Sequence, residues 1–254
     1  MNVEKHRIAL SVVIVTLNEE FNIKRALDSL TWADEVLIYD SGSTDQTLTI
    51  AQKMGAKIIS GDWLGFGSTK RKATLLAKND WILSLDADEE VPEPLIQEIR
   101  MKFETLNAKT AYRIPRLSRF LGRWIRYGGW YPDAQIRLFN RQFANWDTAE
   151  IHERVEAKQI ESLAQPFHHY VFKSIEHQVQ TNNRYSSLQA LAMHKKNRRF
   201  SWFHYLTKPS VKFLECYFLK RGILDGWVGY LIARNASYSV FLKWSKLKEL
   251  REKE

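Results

Sequence analysis

Residues 81–90 read Trp-Ile-Leu-Ser-Leu-Asp-Ala-Asp-Glu-Glu, a short apolar run that ends in four acidic side chains. The apolar half is typical of a buried β-strand. Carboxylates this close repel one another and lose hydration beside a sheet, so the arrangement is unfavourable unless a cation or a basic partner offsets it. The stretch therefore predicts a strand whose end faces positive charge.

Short apolar runs alternate with amphipathic stretches on both sides of this strand, which is typical of βα units over a parallel sheet. The predicted strands are 10–16, 35–39, 57–59 and 81–85, and the predicted helices are 20–30, 45–54, 68–78 and 92–106. Polar residues follow the first, second and fourth strands. Because ligands bind at the carboxyl ends of such strands, we expect these polar residues to converge at one edge of the sheet.

The chain changes character beyond residue 106. Residues 111–171 contain strand fragments around an aromatic, glycine-bearing loop at 126–133, and the residues after 173 carry long helical patterns with many aromatic and basic side chains. We predict an α/β domain with a Rossmann-like, mostly parallel sheet over residues 1–172 and an amphipathic helical extension over residues 173–254.

Composition narrows the class of protein. Hydrophobic residues make up 44% of the 254 residues, and 38 Lys and Arg against 29 Asp and Glu give a net charge of +9. The single cysteine, Cys216, cannot form an internal disulfide, which favours a reducing compartment. No apolar run reaches the ~18 residues that read as a transmembrane helix. We therefore expect a basic, globular protein.

Asp86 and Asp88 form a D-x-D pair at the end of the fourth predicted strand. Mg²⁺ and Mn²⁺ prefer oxygen ligands, and Mg²⁺ is usually held by one or two carboxylates together with substrate phosphates. The pair therefore predicts a divalent metal site, with a solvated acidic loop as the alternative.

The segment 40–47 offers a glycine turn and a helix N-cap at Asp45. A well-made turn between a strand and a helix explains Gly42 and Asp45 but leaves Asp40 without a role. An acidic side chain at a strand end can accept hydrogen bonds from a nucleobase or a ribose, so we interpret Asp40 as a candidate nucleotide-binding residue.

Motifs follow one another in order along the chain, at residues 13–19, 32–45, 65–71 and 85–90, and further motifs lie at 62–67, 131–139, 152–153 and 224–229. The first set resembles the motifs of family 2 glycosyltransferases with the GT-A fold. The second set resembles bacterial lipopolysaccharide inner-core β-glucosyltransferases. The match extends over nearly the whole chain, which makes it more specific than any single motif.

That resemblance implies a metal-dependent, inverting transfer of glucose from UDP-glucose to a heptose of the lipopolysaccharide inner core. The alternative is transfer of another UDP-hexose to a polyprenyl-linked or other cell-envelope glycan. It also implies a nucleotide-sugar half at about residues 8–106 and an acceptor half at about residues 107–172.

The resemblance assigns roles to individual residues. Uridine would be held by Thr16, Asn18, Glu19 and Asp40. The base or diphosphate would be approached by Lys70 and Arg71, for which a solvated helix face is the alternative. Asp88 would bind Mg²⁺ or Mn²⁺, and Asp86 would contact the ribose or the metal.

An inverting transfer also requires a general base for the acceptor hydroxyl. The candidates are Glu153 first, Asp133 second and Glu150 third. His152 would orient Glu153 or contact phosphate, with a structural role as the alternative.

Three further residues have two interpretations each. Trp130 and Tyr131 lie in a loop that could cover the sugar, since flat aromatic faces suit the C–H faces of a hexose, and core packing is the alternative. Arg137 could pair with the diphosphate or with a neighbouring carboxylate.

The basic, aromatic patterns at 195–205 and 227–244 are typical of helices that lie in a membrane interface. We therefore expect a peripheral protein on the cytoplasmic face of the bacterial inner membrane, with packing on the catalytic domain as the alternative. Nucleic acid is not an expected partner, because no binding motif is found and the acidic edge would repel phosphate without a metal. A nucleotidyltransferase would need a glycine-rich lysine loop near the first strand, and none is found there.

Overall fold

The computed structural model describes residues 8–149 and 153–253. These residues divide into two compact units. Unit 1 comprises the described residues up to Arg116 together with Ala134–His169, and unit 2 comprises Leu117–Asp133 together with the described residues from Tyr170 onward.

The first half of unit 1 alternates strands with helices. Its strands are β1 Ile8–Thr16, β2 Ala33–Asp40, β3 Lys57–Ser60, β4 Trp81–Asp86 and β5 Glu89–Glu90, and its helices are α1 Ile23–Asp28, α2 Thr47–Lys53, α3 Phe66–Leu75 and α4 Glu93–Phe103. Each predicted strand and helix of this region is present, with ends that differ by a few residues. The first helix begins later than predicted because Asn18 has a left-handed φ of 56° and the following residues form a turn on the carbonyl of Glu19.

The remaining strands are β6 Thr110–Phe120, β7 Arg123–Ile125, β8 Asp133–Asn140, β9 Asn145–Trp146, β10 Val155–Glu156, β11 Gln159–Ser162 and β12 Phe167–His169. The main sheet has the order β3-β2-β1-β4-β8-β6-β12-β5, with β7 and β11 paired to β6. Strands β1 to β4 are parallel, and β8 is antiparallel to β4. The predicted α/β class with a mostly parallel sheet is confirmed.

The core of unit 1 lies on both faces of this sheet, because alternate residues of a strand point to opposite faces. Val12 packs in one buried cluster with Leu83, whereas Val13 packs in a second cluster with Ile82 and Tyr39. Burial on both faces explains why the strands read as nearly continuous apolar runs.

Unit 2 contains the C-terminal helices, which are α5 Ile175–Lys195, α6 Trp202–Leu214, a π-helix Glu215–Leu219, a 3₁₀-helix Gly222–Asp225 and α7 Gly226–Glu252. One buried cluster joins Phe120 and Ile125 to Val228 and Ile232 of α7. A second cluster joins Ala190 of α5 to α7. Within the described residues, no helix has the length and hydropathy to cross a membrane.

The motif at 224–229 has a structural role in unit 2. The carboxylate of Asp225 accepts a hydrogen bond from the backbone N–H of Tyr127, at 2.9 Å. A Cβ atom on Gly229 would lie 1.9 Å from the carbonyl oxygen of Gly222, so only glycine allows this approach. The motif therefore fixes the backbone at Tyr127 and seats the start of α7.

Candidate active site

The carboxyl ends of β1, β2 and β4 meet at one edge of the sheet. Thr16 is the register partner of Asp40, and Val15 is the register partner of Asp86. The expected convergence of polar strand ends is therefore confirmed for these three strands.

Asp40 is 1% exposed and organises its own loop. Its carboxylate accepts hydrogen bonds from the backbone N–H groups of Gly42, at 2.9 Å, and Ser43, at 3.0 Å, and from the Ser43 hydroxyl. Gly42 has a φ of 103°, which favours glycine at this turn. The contact between Asp40 and uridine stays a prediction.

Hydrogen bonds tie the segment after β1 to the segment after β2. The side-chain oxygen of Asn18 accepts from the backbone N–H of Thr44 at 2.8 Å, and the backbone N–H of Glu19 donates to the Thr47 hydroxyl at 2.8 Å. Thr16 is buried, and its hydroxyl has no hydrogen-bond partner within the described part of the chain. The edge is therefore cross-linked, and the uridine contacts of these residues stay predictions.

Lys70 joins two carboxylates that lie far apart in sequence. Its ammonium lies 2.9 Å from Asp86 and 3.0 Å from Glu153, and the residue is 8% exposed. The solvated helix face considered as an alternative therefore does not apply to Lys70. Arg71 is exposed and donates to the backbone carbonyl of Trp146 at 2.9 Å.

Arg137 is 2% exposed and pairs with carboxylates. Its Nη2 lies 2.5 Å from Asp86 and 3.0 Å from Glu89, which matches the second of the two interpretations given for it. Its Nε and Nη1 atoms are buried without hydrogen-bond partners among residues 8–149 and 153–253. The N–H groups of these two nitrogen atoms are unused donors beside the acidic edge.

The pKa values of this pair reflect their mutual stabilisation. Burial alone would raise the pKa of Asp86, but the charges of Arg137 and Lys70 outweigh it and hold that pKa well below its ordinary value. Burial alone would lower the pKa of Arg137, but the charges of Asp86 and Glu89 raise it instead. Both groups therefore remain charged at neutral pH.

Each acidic residue of the 86–90 stretch has a basic neighbour. Asp86 pairs with Lys70 and Arg137, and the remaining pairs are Glu89 with Arg137 and Arg116, Asp88 with His169, and Glu90 with His168. The predicted positive partners are therefore present for Asp86 and Glu89, whereas the histidines beside Asp88 and Glu90 are positive only when protonated. Sequence reasoning missed the two histidines and Arg116.

Asp88 and His169 offer one oxygen and one nitrogen donor to a metal. Their Oδ2 and Nε2 atoms are 3.4 Å apart. Burial would lower the pKa of His169, but its hydrogen bond with Asp88 raises it. No group of three or more acidic, histidine or cysteine side chains with metal-binding geometry occurs in the described ranges. Asp88 fits the one or two carboxylates by which Mg²⁺ is usually held together with substrate phosphates, and His169 would add a nitrogen donor once its imidazole is neutral.

The structure places the other candidate residues as follows. The side chain of Glu153 is largely buried beside Lys70 in unit 1, whereas Glu150 and His152 lie outside the described residues.

In unit 2, the Trp130 ring lies 6.0 Å from the rings of both Phe120 and Phe172, which fits the core-packing interpretation. Tyr131 and Asp133 are half-buried in the same unit. Their sugar-contact and base roles stay predictions.

Gly67 in α3 seats the segment that leads towards Glu153. Its N–H donates to the Ala149 carbonyl at 3.1 Å, and a Cβ atom would lie 2.5 Å from the Asp147 carbonyl oxygen. Alanine normally stabilises a helix relative to glycine by about 1 kcal/mol. The clash reverses that sign, so Gly67→Ala should lower the free energy of unfolding by about 1–3 kcal/mol, measured by urea denaturation.

Lys72→Ala is the matched control for Gly67→Ala, since Lys72 is exposed on the same helix. Its stability should change by less than about 1 kcal/mol. An equal or higher stability of Gly67→Ala would show that the 147–149 segment does not depend on this close approach.

A mostly parallel sheet flanked by helices, with acidic strand ends at one edge, is the architecture of nucleotide-binding α/β enzymes, the class that includes the GT-A fold. Sequence comparison then identifies the family. The glycosyl transferase family 2 model matches residues 11–196, and the chain belongs to that family.

Individual relatives agree with this assignment. An uncharacterized glycosyltransferase of Rickettsia typhi is 34% identical over 254 residues, covering 95% of this chain and 87% of the relative. The lipopolysaccharide core biosynthesis glycosyltransferase LpsC of Rhizobium meliloti is 24% identical, covering 95% of this chain and 92% of the relative. The predicted family 2 membership is therefore confirmed.

Among solved structures, glucosyl-3-phosphoglycerate synthase of Mycobacterium tuberculosis is 27% identical with a TM-score of 0.36. That structure is a complex with Mn²⁺, uridine diphosphate and glucosyl-3-phosphoglycerate. The likeness covers 43% of this chain and 44% of the synthase.

Proposed function

We propose that this family 2 glycosyltransferase transfers glucose from UDP-glucose to a heptose hydroxyl of the lipopolysaccharide inner core, with inversion at the anomeric carbon. The observation that carries the proposal is the position of Lys70 between Asp86 and Glu153, at 2.9 and 3.0 Å. It brings a candidate general base next to the acidic edge where a nucleotide diphosphate would bind.

The donor side uses the sheet edge. The segments after β1 and β2 would hold the uridine, and Asp88 with His169 would hold a divalent metal. When bound, the metal would neutralise charge on the diphosphate. The unused N–H groups of Arg137 lie beside the same edge and would be donors for a phosphate oxygen bound there.

The acceptor side uses Glu153 as the base. The acceptor oxygen forms a bond to the anomeric carbon while the bond from that carbon to the diphosphate oxygen breaks on the opposite side. The hydroxyl proton passes to the Glu153 carboxylate, and UDP leaves with the bonding electron pair. Lys70 positions this carboxylate through its ion pair, and Asp133 is the second candidate for the base.

The acceptor class is supported by the relative LpsC, which is named for lipopolysaccharide core biosynthesis. The alternative is transfer of another UDP-hexose to a polyprenyl-linked or other cell-envelope glycan. Both acceptors are attached to lipid, so the proposal places the enzyme at the cytoplasmic face of the inner membrane.

A scan of nucleotide sugars against isolated core acceptors tests the proposal. With Mn²⁺ present, UDP release should be fastest with UDP-glucose and should require a heptose-containing acceptor. Release of pyrophosphate instead of UDP would favour a nucleotidyltransferase. Turnover with only polyprenyl-linked acceptors would favour the alternative acceptor, and no binding of UDP by calorimetry would overturn the transferase assignment for this edge.

A further inference from the structure

The surface of α6 in unit 2 is unusual because none of its 13 residues is buried. The helix is nevertheless rich in large apolar side chains. Phe203 is 72% exposed and Leu206 is 66% exposed, and Val211 and Leu214 are also exposed. We call these four side chains the α6 face.

Helical spacing places the α6 face opposite the side that packs on α7. Phe203, Leu206 and Leu214 are separated by three and eight residues and fall on one side of the helix. On the other side, the Tyr205 ring lies 5.1 Å from the Phe241 ring, and the carbonyl of Pro209 accepts a hydrogen bond from Ser237 at 2.7 Å. The α6 face is therefore not covered by α7.

The apolar exposure continues along the chain after α6. Eleven large apolar residues between positions 202 and 230 are exposed, including Phe218, Leu219 and Trp227. Isolated exposed apolar residues are ordinary in proteins, but an exposed apolar stretch of this size marks an interaction surface.

Positive charge accompanies these residues. Positions 198–234 contain seven Lys and Arg against two acidic residues. Both acidic residues are engaged, since Glu215 pairs with Lys212 and Lys220, and Asp225 accepts from backbone N–H groups. Five cations form no ion pair with any described residue, namely Arg198, Arg199, Lys208, Arg221 and Arg234.

We propose that the α6 face and these cations dock unit 2 on an anionic phospholipid surface, with the apolar side chains in the headgroup–acyl boundary. Apolar residues flanked by Lys and Arg are the combination that binds such an interface. A second copy of this chain fits less well, because two surfaces with the same positive charge repel each other. The docking surface does not depend on the identity of the transferred sugar.

Vesicle co-sedimentation tests the docking surface. The 254-residue protein should bind vesicles made of an equimolar mixture of phosphatidylcholine and phosphatidylglycerol, and it should bind vesicles of phosphatidylcholine alone only weakly. Its affinity for the anionic vesicles should fall at high salt. The double variant Phe203→Ser, Leu206→Ser should bind the anionic vesicles roughly tenfold or more weakly.

The matched control is Met101→Ser, Phe143→Ser, which removes two exposed apolar side chains from unit 1. It should bind vesicles like the wild type. Brominated phosphatidylcholine within the anionic vesicles should quench part of the tryptophan fluorescence, and the double variant Trp202→Phe, Trp227→Phe should remove part of that quenching, because both indoles are exposed in the 202–230 stretch.

Equal vesicle binding by the Phe203→Ser, Leu206→Ser variant and the wild type would overturn the proposal. So would a lipid-free dimer of the wild type that becomes a monomer in this variant, because the face would then be a self-association surface. The variant should keep its circular dichroism spectrum and its affinity for UDP, so a failure of lipid docking is separable from a failure of the proposed transfer reaction.

Discussion

Glu153→Gln is expected to reduce hexosyl transfer by about a thousandfold, because glutamine cannot accept the proton of the acceptor hydroxyl. The affinity for UDP should change little, since the side chains are nearly isosteric and Lys70 keeps its ion pair with Asp86. The measurements are the initial rate of UDP release with a saturating acceptor and the calorimetric Kd of UDP with Mn²⁺.

Two further variants make this result specific. Glu156→Gln is the matched control, because Glu156 is an exposed glutamate on β10, and its transfer rate should stay near that of the wild type. Asp133→Asn tests the second candidate for the base. If Asp133→Asn abolishes transfer while Glu153→Gln does not, the base is Asp133 and the assignment of Glu153 is wrong.

Asp88→Ala is expected to reduce turnover by at least about a hundredfold, because the side chain is one of the two proposed metal donors of the chain. The wild type should lose activity in EDTA and regain it with Mn²⁺. In the variant, Mn²⁺ should no longer strengthen the binding of UDP, as measured by calorimetry. Unfolding should remain cooperative, since Asp88 is at a loop outside the hydrophobic clusters.

Asp80→Asn is the control for Asp88→Ala. Asp80 lies just before the first residue of β4, whereas Asp88 follows its last residue, and Asp80 forms an ion pair with Arg141. Its activity should be close to that of the wild type. A normal rate for Asp88→Ala, or a wild-type rate in EDTA, would refute the role of Asp88 in metal binding.

Local sequence patterns predicted much of the α/β half. The strand 81–85 could be predicted because an apolar run ends in charged residues. In the structure this strand is one residue longer and ends at Asp86. The convergence of Thr16, Asp40 and Asp86 followed from parallel strand order alone, because carboxyl ends of parallel strands share an edge.

Contacts between residues far apart in the chain could not be predicted from local sequence patterns. His169 meets Asp88 because β12 pairs with β5 in antiparallel register, and no local pattern indicates that pairing. Lys70 reaches Glu153 across 83 residues. The sequence indicated that a positive partner was needed at 86–90, but choosing among 38 Lys and Arg requires the tertiary structure.

The backbone contact made by Asp225 limits how this protein can be shortened. Removing the chain from residue 200 onward would delete the exposed apolar side chains, but it would also leave the N–H of Tyr127 without its carboxylate and remove half of a buried cluster. Truncation at residue 200 would therefore disturb the backbone around Tyr127. Single substitutions on the α6 face would reduce the exposed apolar surface and leave these contacts of Asp225 and the buried cluster in place.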